Sequence, residues 1–268
     1  MTNSRSRIEG RRPHELPHFQ ALLDGTGWAS LGTVRGTGAS LPTALAGILN
    51  PDPAVRTAAT DSALRAVTHQ NTIYEATVPM ALYVAAILSH PVIAAANCGH
   101  DANNRPHRPT LVRLLKWLSD TAYDADDKCA AIGERYFGKG FLDEYGEMHE
   151  FRDLRPAIFS GVHPLLSHDN AGVRDAALIA ALPLAEHPVL TAHRAELVGH
   201  ARRLLATSTN RYNRDRVLAA MKAWGHDTSD LENADDIATR ERYARFTAER
   251  DSWRATEGTG GYSENPPF

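Results

Sequence analysis

The stretch "DPAVRTAATDSAL", residues 52–64, decides the fold class. Asp52 is a good helix N-cap, and Pro53 suits the first helical position, where no backbone N–H is needed. The buried stripe expected of the helix that follows comprises Val55, Ala59, Ala63, Ala66 and Val67. An earlier run with the same spacing comprises Leu41, Leu45, Ile48 and Leu49. The two runs predict a helical hairpin with a short loop between them.

The same pattern returns twice along the chain. "DNAGVRDAALIAAL" begins at Asp169 and "NRDRVLAAMKAW" begins at Asn213. A capping residue followed by Arg-x-x-Ala is common to Arg56–Ala59, Arg174–Ala177 and Arg216–Ala219, and weaker copies lie at Ile93–Ala96 and Lys128–Ala131. The last two arginines are 42 residues apart, and the first two are 118 apart, close to three such units. A period of about 40–47 residues predicts an α-solenoid of paired helices.

These repeats resemble HEAT repeats. The matching residues are Asp52, Val55, Arg56 and Ala59 in one copy and Asp169, Val173, Arg174 and Ala177 in another. The segment "HQNTIYEAT" also resembles actinobacterial HEAT-like proteins with a His-Gln-x-Thr-x-Tyr-x-Ala-Thr sequence, matched by His69, Gln70, Thr72, Tyr74, Ala76 and Thr77. The resemblance covers about residues 40–225 and implies an all-α fold, an α-solenoid of about five HEAT-like helical pairs. The second repeat departs from it, because Ile93 replaces the arginine and "NCGHDANNRPHRP" interrupts the unit.

Composition and pattern together predict four regions. Residues 1–15 form a disordered basic N-terminus, and residues 16–230 form the HEAT-like α-solenoid. Residues 231–256 form a charged helix whose docking the pattern does not define, and residues 257–268 form a disordered tail.

Charge and cysteine content narrow the function classes. The net charge of −3 and a pI near 6.5 argue against general affinity for nucleic acids, which requires a basic surface. The two cysteines, Cys98 and Cys129, do not make a disulfide framework, so we expect a reducing cytoplasmic location. No apolar run approaches the length of a membrane span, and we expect no cofactor.

The segment around His69 is the most distinctive polar cluster. Thr72 and Glu75 have the capping-box spacing, which predicts a helix from about Ile73 to Leu88 that bends at Pro79. One interpretation is a satisfied turn between helices. The other is a patch that binds a protein partner, formed by Arg65, His69, Gln70 and Tyr74, with Thr57 and Asp61 also facing outward. Both interpretations remain open at this point.

Other polar groups offer weaker patterns. Cys98, His100, Asp101 and His107 are metal-ligand residue types, but their spacing does not match a closed zinc site, and a polar loop is the alternative. The repeated arginines predict either a ladder of pairs with neighbouring aspartates or a basic concave stripe. Ser167, His168 and Asp169 are adjacent, whereas the members of a catalytic triad converge from separate elements.

The sequence leaves two functions to compare. The first is a non-catalytic protein-binding scaffold, by analogy an immunity-type protein that neutralises a toxin. The alternative is a HEAT-like DNA glycosylase that acts on alkylated bases, with aromatic rings from Trp117, Tyr212 or Trp224 and a carboxylate from Asp120 or Asp215. The overall acidity and the lack of dense Lys/Arg clusters speak against the enzyme. A phycobilin lyase-like HEAT protein is a third option, for which no motif is present.

Overall fold

The computed structural model of the chain describes residues 15–94 and 109–257, and most of these residues are helical. The all-α fold class is therefore confirmed. Within the described ranges no helix is both long and apolar enough to cross a membrane. The chain divides into two compact units, one ending at Ala201 and the other beginning at Arg202.

The α-helices are α1 (Phe19–Gly25), α2 (Leu41–Gly47), α3 (Pro53–Ala66), α4 (Thr77–Ile87), α5 (Pro91–Ala94), α6 (Thr110–Asp124), α7 (Asp127–Phe137), α8 (Phe141–Glu144), α9 (Gly146–Asp153), α10 (Arg155–Val162), α11 (Ala171–Leu184), α12 (Arg194–Thr207), α13 (Arg211–Ala223) and α14 (Ala234–Glu257). Short 3₁₀ turns lie at Trp28–Ser30, Gly38–Ser40, His163–Ser167, Pro188–His193 and Ser229–Leu231. The strands β1 (Gly32–Thr33) and β2 (Gly36–Thr37) form an antiparallel hairpin. Helix α14 lies where the sequence predicts a charged helix, and the predicted terminal segments lie almost wholly outside the described residues.

Helices α4 and α11 form the centre of the first unit. Each has nine buried residues, so neither has a broad solvent face. Helix α4 packs against α1 and α10, and α11 packs against α6 and α10. At Gly161 a Cβ atom would lie 2.5 Å from the carbonyl oxygen of Ala85, so glycine permits the close approach of α10 to α4. The Tyr83 hydroxyl, whose pKa burial raises to about 12, donates to the Leu45 carbonyl at 3.0 Å and ties α4 to α2.

Two of the repeated arginines bind the loop that precedes their own helix. The Arg56 Nη1 atom donates to the carbonyl oxygens of Asn50 at 2.8 Å and Pro51 at 3.3 Å. The Arg174 Nη1 atom donates to the equivalent carbonyls of His168 at 2.7 Å and Asp169 at 2.8 Å. The predicted ladder of pairs with neighbouring aspartates is therefore wrong at both positions, because the guanidinium groups satisfy loop carbonyls instead.

The third arginine of this kind is Arg214, whereas the sequence pattern pointed to Arg216. Each such arginine stands four residues after the side chain that caps its helix, which is Asp52, Asn170 or Asn210. Arg214 donates to the Ser208 carbonyl at 3.2 Å and forms a buried pair with Asp236 at 2.6 Å. Arg216 instead lies 4.0 Å over the ring of Tyr212. We call Arg56, Arg174 and Arg214 the loop-binding arginines.

This geometry changes the first half of the buried stripe of α3, whereas Ala63 and Val67 are buried as predicted. Val55, predicted to be buried, is 44% exposed, whereas Arg56, Thr60, Ala63 and Val67 are buried. The Thr60 hydroxyl donates to the Arg56 carbonyl at 2.8 Å, whereas the Arg56 Nε atom is buried with no hydrogen-bond partner among the described residues. Thr57 and Asp61, which we expected to face outward, are half-buried, and Asp61 pairs with Arg113 of α6.

An ionic cluster centred on the buried Arg155 joins α7, α10 and the end of α11. The Arg155 side chain is 2% exposed, and its Nη1 atom lies 3.4 Å from Asp127 and 3.5 Å from Glu186. The Glu186 carboxylate also accepts the backbone N–H of Asp127 at 2.8 Å. Burial raises the pKa of Glu186 to about 7 and lowers the pKa of Arg155.

Glu186→Gln is expected to change the pH dependence of stability. Because folding raises the pKa of Glu186 from 4.5 to about 7, the carboxyl group contributes stability below pH 4.5 that is lost as the pH rises through 7. The glutamine side chain of the variant does not titrate, so the variant has no such loss of stability. The free energy of unfolding of the variant, relative to wild type, should therefore rise by about 1–3 kcal/mol between pH 4.5 and pH 8.

Urea unfolding at pH 4.5, 6 and 8 measures this difference. Glu134→Gln, at an exposed position of α7, is the matched control and should show no such trend. A stability difference between Glu186→Gln and wild type that stays constant with pH contradicts the assignment.

Candidate functional site

The predicted partner-binding residues lie in and next to the loop between α3 and α4. Within it the Thr72 N–H donates to the His69 carbonyl at 3.1 Å and closes a β-turn. Its central residues, Gln70 and Asn71, have positive φ angles of 48° and 59°. Two positive angles are the mark of a type I′ turn, which asparagine tolerates and glutamine adopts at a cost of about 1 kcal/mol.

The predicted capping box is wrong. Helix α4 begins at Thr77, and Ala76 is its N-cap residue. Glu75 accepts the N–H of Gly32 at 2.7 Å, while the Gly32 carbonyl accepts the N–H of Ala76 at 3.1 Å. The Glu75 carboxylate therefore binds the β1–β2 hairpin, whereas the sequence pattern predicted that it would bind the N–H of Thr72.

The start of α4 also changes the role of Pro79. The Thr77 hydroxyl accepts the Tyr74 N–H at 3.0 Å, so Thr77 organises this turn in place of Thr72. Pro79 is the third residue of α4, where a backbone N–H has no acceptor within the helix. We therefore find no reason for the bend that the sequence predicted.

The loop exposes three of its four candidate residues. Arg65, His69 and Gln70 are exposed, whereas Tyr74 is half-buried. The positive φ at Gln70 holds this polar side chain on a turn that glycine would adopt more easily, and such strain clusters at functional sites. A partner-binding role for these four residues stays a prediction.

Two other candidate groups from the sequence, and the cysteine Cys129, have different outcomes. Cys98, His100, Asp101 and His107 lie outside the described residues. His168, one of the three adjacent triad-type residues, accepts the Asn170 N–H through Nδ1 at 3.0 Å, and its carbonyl accepts from Arg174. Cys129 donates its thiol to the Tyr123 carbonyl at 3.3 Å, and burial raises its pKa to about 12, so the thiol is a poor nucleophile.

An exposed aromatic ridge is the largest site-like feature that the sequence analysis missed. We define the aromatic ridge as Ile132, Tyr136, Phe137, Phe141 and Tyr145, on α7, on α8 and at its end. The exposed fractions of its outer members are 47% for Ile132, 56% for Tyr136, 68% for Phe137 and 46% for Tyr145. Phe141 is the buried base of the ridge, with its ring centroid 5.8 Å from Phe137 and 4.6 Å from Tyr145.

Local structure explains how the ridge forms. Gly133 is buried under the Phe141 ring, and a Cβ atom there would collide with that ring. Helix α7 ends at Gly138, whose φ of 96° turns the chain toward α8. The aromatic residues at 137, 141 and 145 have a spacing of four, which was the available sequence signal.

The surroundings of the ridge are acidic. Residues 132–150 contain five acidic residues and two basic ones, a net charge of −3. Asp143, Glu144 and Glu150 are exposed, and Glu147 is half-buried. The segment that carries the ridge therefore combines exposed apolar side chains with a net negative charge.

A second feature is a cluster of histidines around one carboxylate. The Glu196 Oε2 atom lies 2.9 Å from His163 Nε2 and 3.7 Å from His193 Nδ1, and Glu196 Oε1 lies 3.8 Å from His200 Nε2. The hydrogen bond from His163 is the main cause that lowers the pKa of Glu196. His193, Glu196 and His200 have helical spacing in the sequence, but His163 comes 30 residues earlier, so the cluster was not recognised.

A buried ring supports two of these imidazoles. Phe159 is 3% exposed, and its ring centroid lies 5.2 Å from that of His163 and 4.9 Å from that of His193. The two imidazole centroids are 5.0 Å apart. Phe159 thus forms an apolar wall behind the cluster.

No protein family, curated protein or solved structure matches this chain. The likeness to HEAT repeats therefore stays a prediction.

Gln70→Gly is expected to stabilise the protein by about 0.5–1 kcal/mol, because glycine adopts a positive φ without a steric penalty. The matched control is Gln20→Gly at an exposed position of α1, which should destabilise by a similar amount. Urea unfolding of both variants measures the effect. A loss of stability in Gln70→Gly would contradict the strained turn.

Proposed function

We propose that the protein is a non-catalytic scaffold that binds a protein partner through the aromatic ridge. The observation that carries the proposal is the exposure of Ile132, Tyr136, Phe137 and Tyr145 on one short segment. Aromatic residues are enriched at interface centres, where they supply much of the binding energy. The contacts of Phe137 and Tyr145 with the buried Phe141 hold these two rings before a partner arrives, which lowers the entropy cost of binding.

The charge around the ridge defines the kind of partner. Acidic side chains at Asp143, Glu144 and Glu150 favour a partner whose apolar pocket has a basic rim. Such complementarity raises the association rate and makes it fall with salt concentration. We further propose that the protein is of the immunity type and neutralises a toxin whose surface has such an apolar pocket with a basic rim.

We also propose that the helices are HEAT-like pairs of an α-solenoid of about five units. The recurrence of the loop-binding arginines at one place after the N-cap supports a shared repeat unit. In addition, α4 packs against α10 and α6 packs against α11, so helices that are not neighbours in the chain are in contact. Such contacts depart from a plain stack, in which each repeat contacts only its neighbours.

The glycosylase alternative has no specific observation in its favour. Trp117 is only 6% exposed, and its indole N–H donates to the Thr68 hydroxyl at 3.0 Å, so its ring is not available to stack on a base. Asp120 pairs with Lys116 at 2.6 Å. Tyr212, the second aromatic candidate, has the Arg216 guanidinium over its ring.

Phe137→Ser is expected to weaken partner binding by about 2 kcal/mol, or about thirtyfold, because it removes the most exposed ring of the ridge. Val55→Ser is the matched control, since Val55 is also an exposed apolar residue of a helix in the first unit. Affinity capture from the native lysate identifies the candidate partner, and titration with the purified partner gives the dissociation constants.

Two outcomes would contradict the ridge proposal. One is equal binding by Phe137→Ser and wild type. The other is loss of binding only in the double variant Arg65→Glu with Gln70→Ala, which would place the interface at the α3–α4 loop. Both variants should melt within a few degrees of wild type, because their targets are surface groups.

A further inference from the structure

We infer that His163, His193 and Glu196 bind one divalent transition-metal ion of the Zn²⁺ class. This site is separate from the proposed partner-binding function and does not depend on it. Each residue offers one ligand atom, and the three atoms lie within 4.8 Å of one another. Two imidazoles and one carboxylate form a known type of open zinc site.

The distances fit such an ion after small side-chain rotations. Tetrahedral zinc with bonds of about 2.0–2.2 Å places its donor atoms about 3.4 Å apart. The Glu196 Oε2 atom lies 2.9 Å from His163 Nε2 and 3.7 Å from His193 Nδ1, on either side of that value. The residues are 33%, 39% and 44% exposed in chain order, so an ion can enter from solvent.

The positions of the ligands are fixed by the fold. His163 begins the 3₁₀ turn after α10, and His193 ends the 3₁₀ turn before α12. Glu196 lies in the first turn of α12. The buried Phe159 ring contacts both imidazoles, which restricts their rotation. A metal ion would therefore join two chain segments that are 30 residues apart.

Ion pairing alone does not account for this arrangement. Exposed pairs contribute little to stability, so ion pairing gives no reason to gather three imidazoles at one carboxylate. Here three imidazoles converge on Glu196, with His200 Nε2 3.8 Å from its second oxygen. In the metal-bound form His200 is a positioning residue that orients the carboxylate, as outer partners of metal ligands do.

The donor set selects the class of ion. Imidazole suits Zn²⁺, Co²⁺, Ni²⁺ and Cu²⁺, whereas Mg²⁺ and Ca²⁺ prefer oxygen ligands only. With three protein ligands, the fourth position is left to water or to another donor. Because protons compete with the metal ion for the imidazole nitrogens, affinity should fall with decreasing pH.

Calorimetric titration of chelator-treated, untagged full-length protein with Zn²⁺ at pH 7.5 tests the site. Wild type should bind about one equivalent, and a Co²⁺ titration should give the visible absorption of a tetrahedral site. Glu196→Gln and His193→Ala should each weaken Zn²⁺ binding at least tenfold. Mg²⁺ in excess should not compete.

Two control variants make the result specific. His149→Ala removes an exposed histidine that lies 3.7 Å from Asp153, and it should bind Zn²⁺ as wild type does. Cys98→Ser with His100→Ala tests the other candidate cluster and should also leave binding unchanged. Circular dichroism melting in the absence of metal establishes that each variant is folded.

The site is overturned if folded wild type binds no Zn²⁺, or if Glu196→Gln and His193→Ala bind it as wild type does. It is also overturned if only the Cys98→Ser, His100→Ala variant loses binding. None of these outcomes bears on the aromatic ridge, because partner capture by the Phe137→Ser variant is measured without added metal.

Discussion

The hydrogen bonds from a helix-borne arginine to the loop before that helix are the interaction on which the rest of the structure depends. Loop carbonyls at a helix junction have no ladder partners, and burying them unpaired costs about 1–3 kcal/mol each. A guanidinium offers several donors in a fixed plane, so one side chain can satisfy two adjacent carbonyls. Arg56 does so while only 6% exposed, which makes its hydrogen bonds part of the core of the first unit.

The candidate sites follow from the positions that these arginines fix. Arg56 sets the start of α3, and the strained turn at Gln70 follows the end of that helix. Arg174 holds the carbonyls of His168 and Asp169, directly after the 3₁₀ turn that begins with His163. The histidine cluster thus lies next to a loop that the hydrogen bonds of Arg174 hold in place. The aromatic ridge has a different basis, since it depends on the contact between Gly133 and the ring of Phe141.

The sequence predicted the helices better than their rotation. Capping residues and apolar spacing located α3, α11 and α13, but the repeat was aligned on Arg216, whereas Arg214 is the structural equivalent. Only Arg216 fits the Arg-x-x-Ala pattern, whereas the hydrogen bond to the Ser208 carbonyl and the pair with Asp236 identify Arg214. The sequence analysis also placed Val55 in the core. The buried residue is the next one, Arg56, and a buried arginine is not expected from residue type.

The sites were predicted less well, because each depends on contacts between distant segments. Glu75 satisfies a capping-box pattern with Thr72, yet it binds the backbone of Gly32, 43 residues away. His163 and Glu196 come together only when the end of α10 meets the start of α12. The exposure of Phe137 depends on where α7 ends. Local spacing carries none of this information.

The most direct measurement compares the stability of Arg56→Met and Arg65→Met. Both residues belong to α3, and both changes keep a long unbranched side chain. Arg56 is buried and donates to two loop carbonyls, whereas Arg65 is exposed. In urea unfolding followed by circular dichroism, Arg56→Met should lose about 2–4 kcal/mol, because two acceptors lose their donor. Arg65→Met should stay within about 0.5 kcal/mol of wild type. Equal stabilities of the two variants would contradict the account.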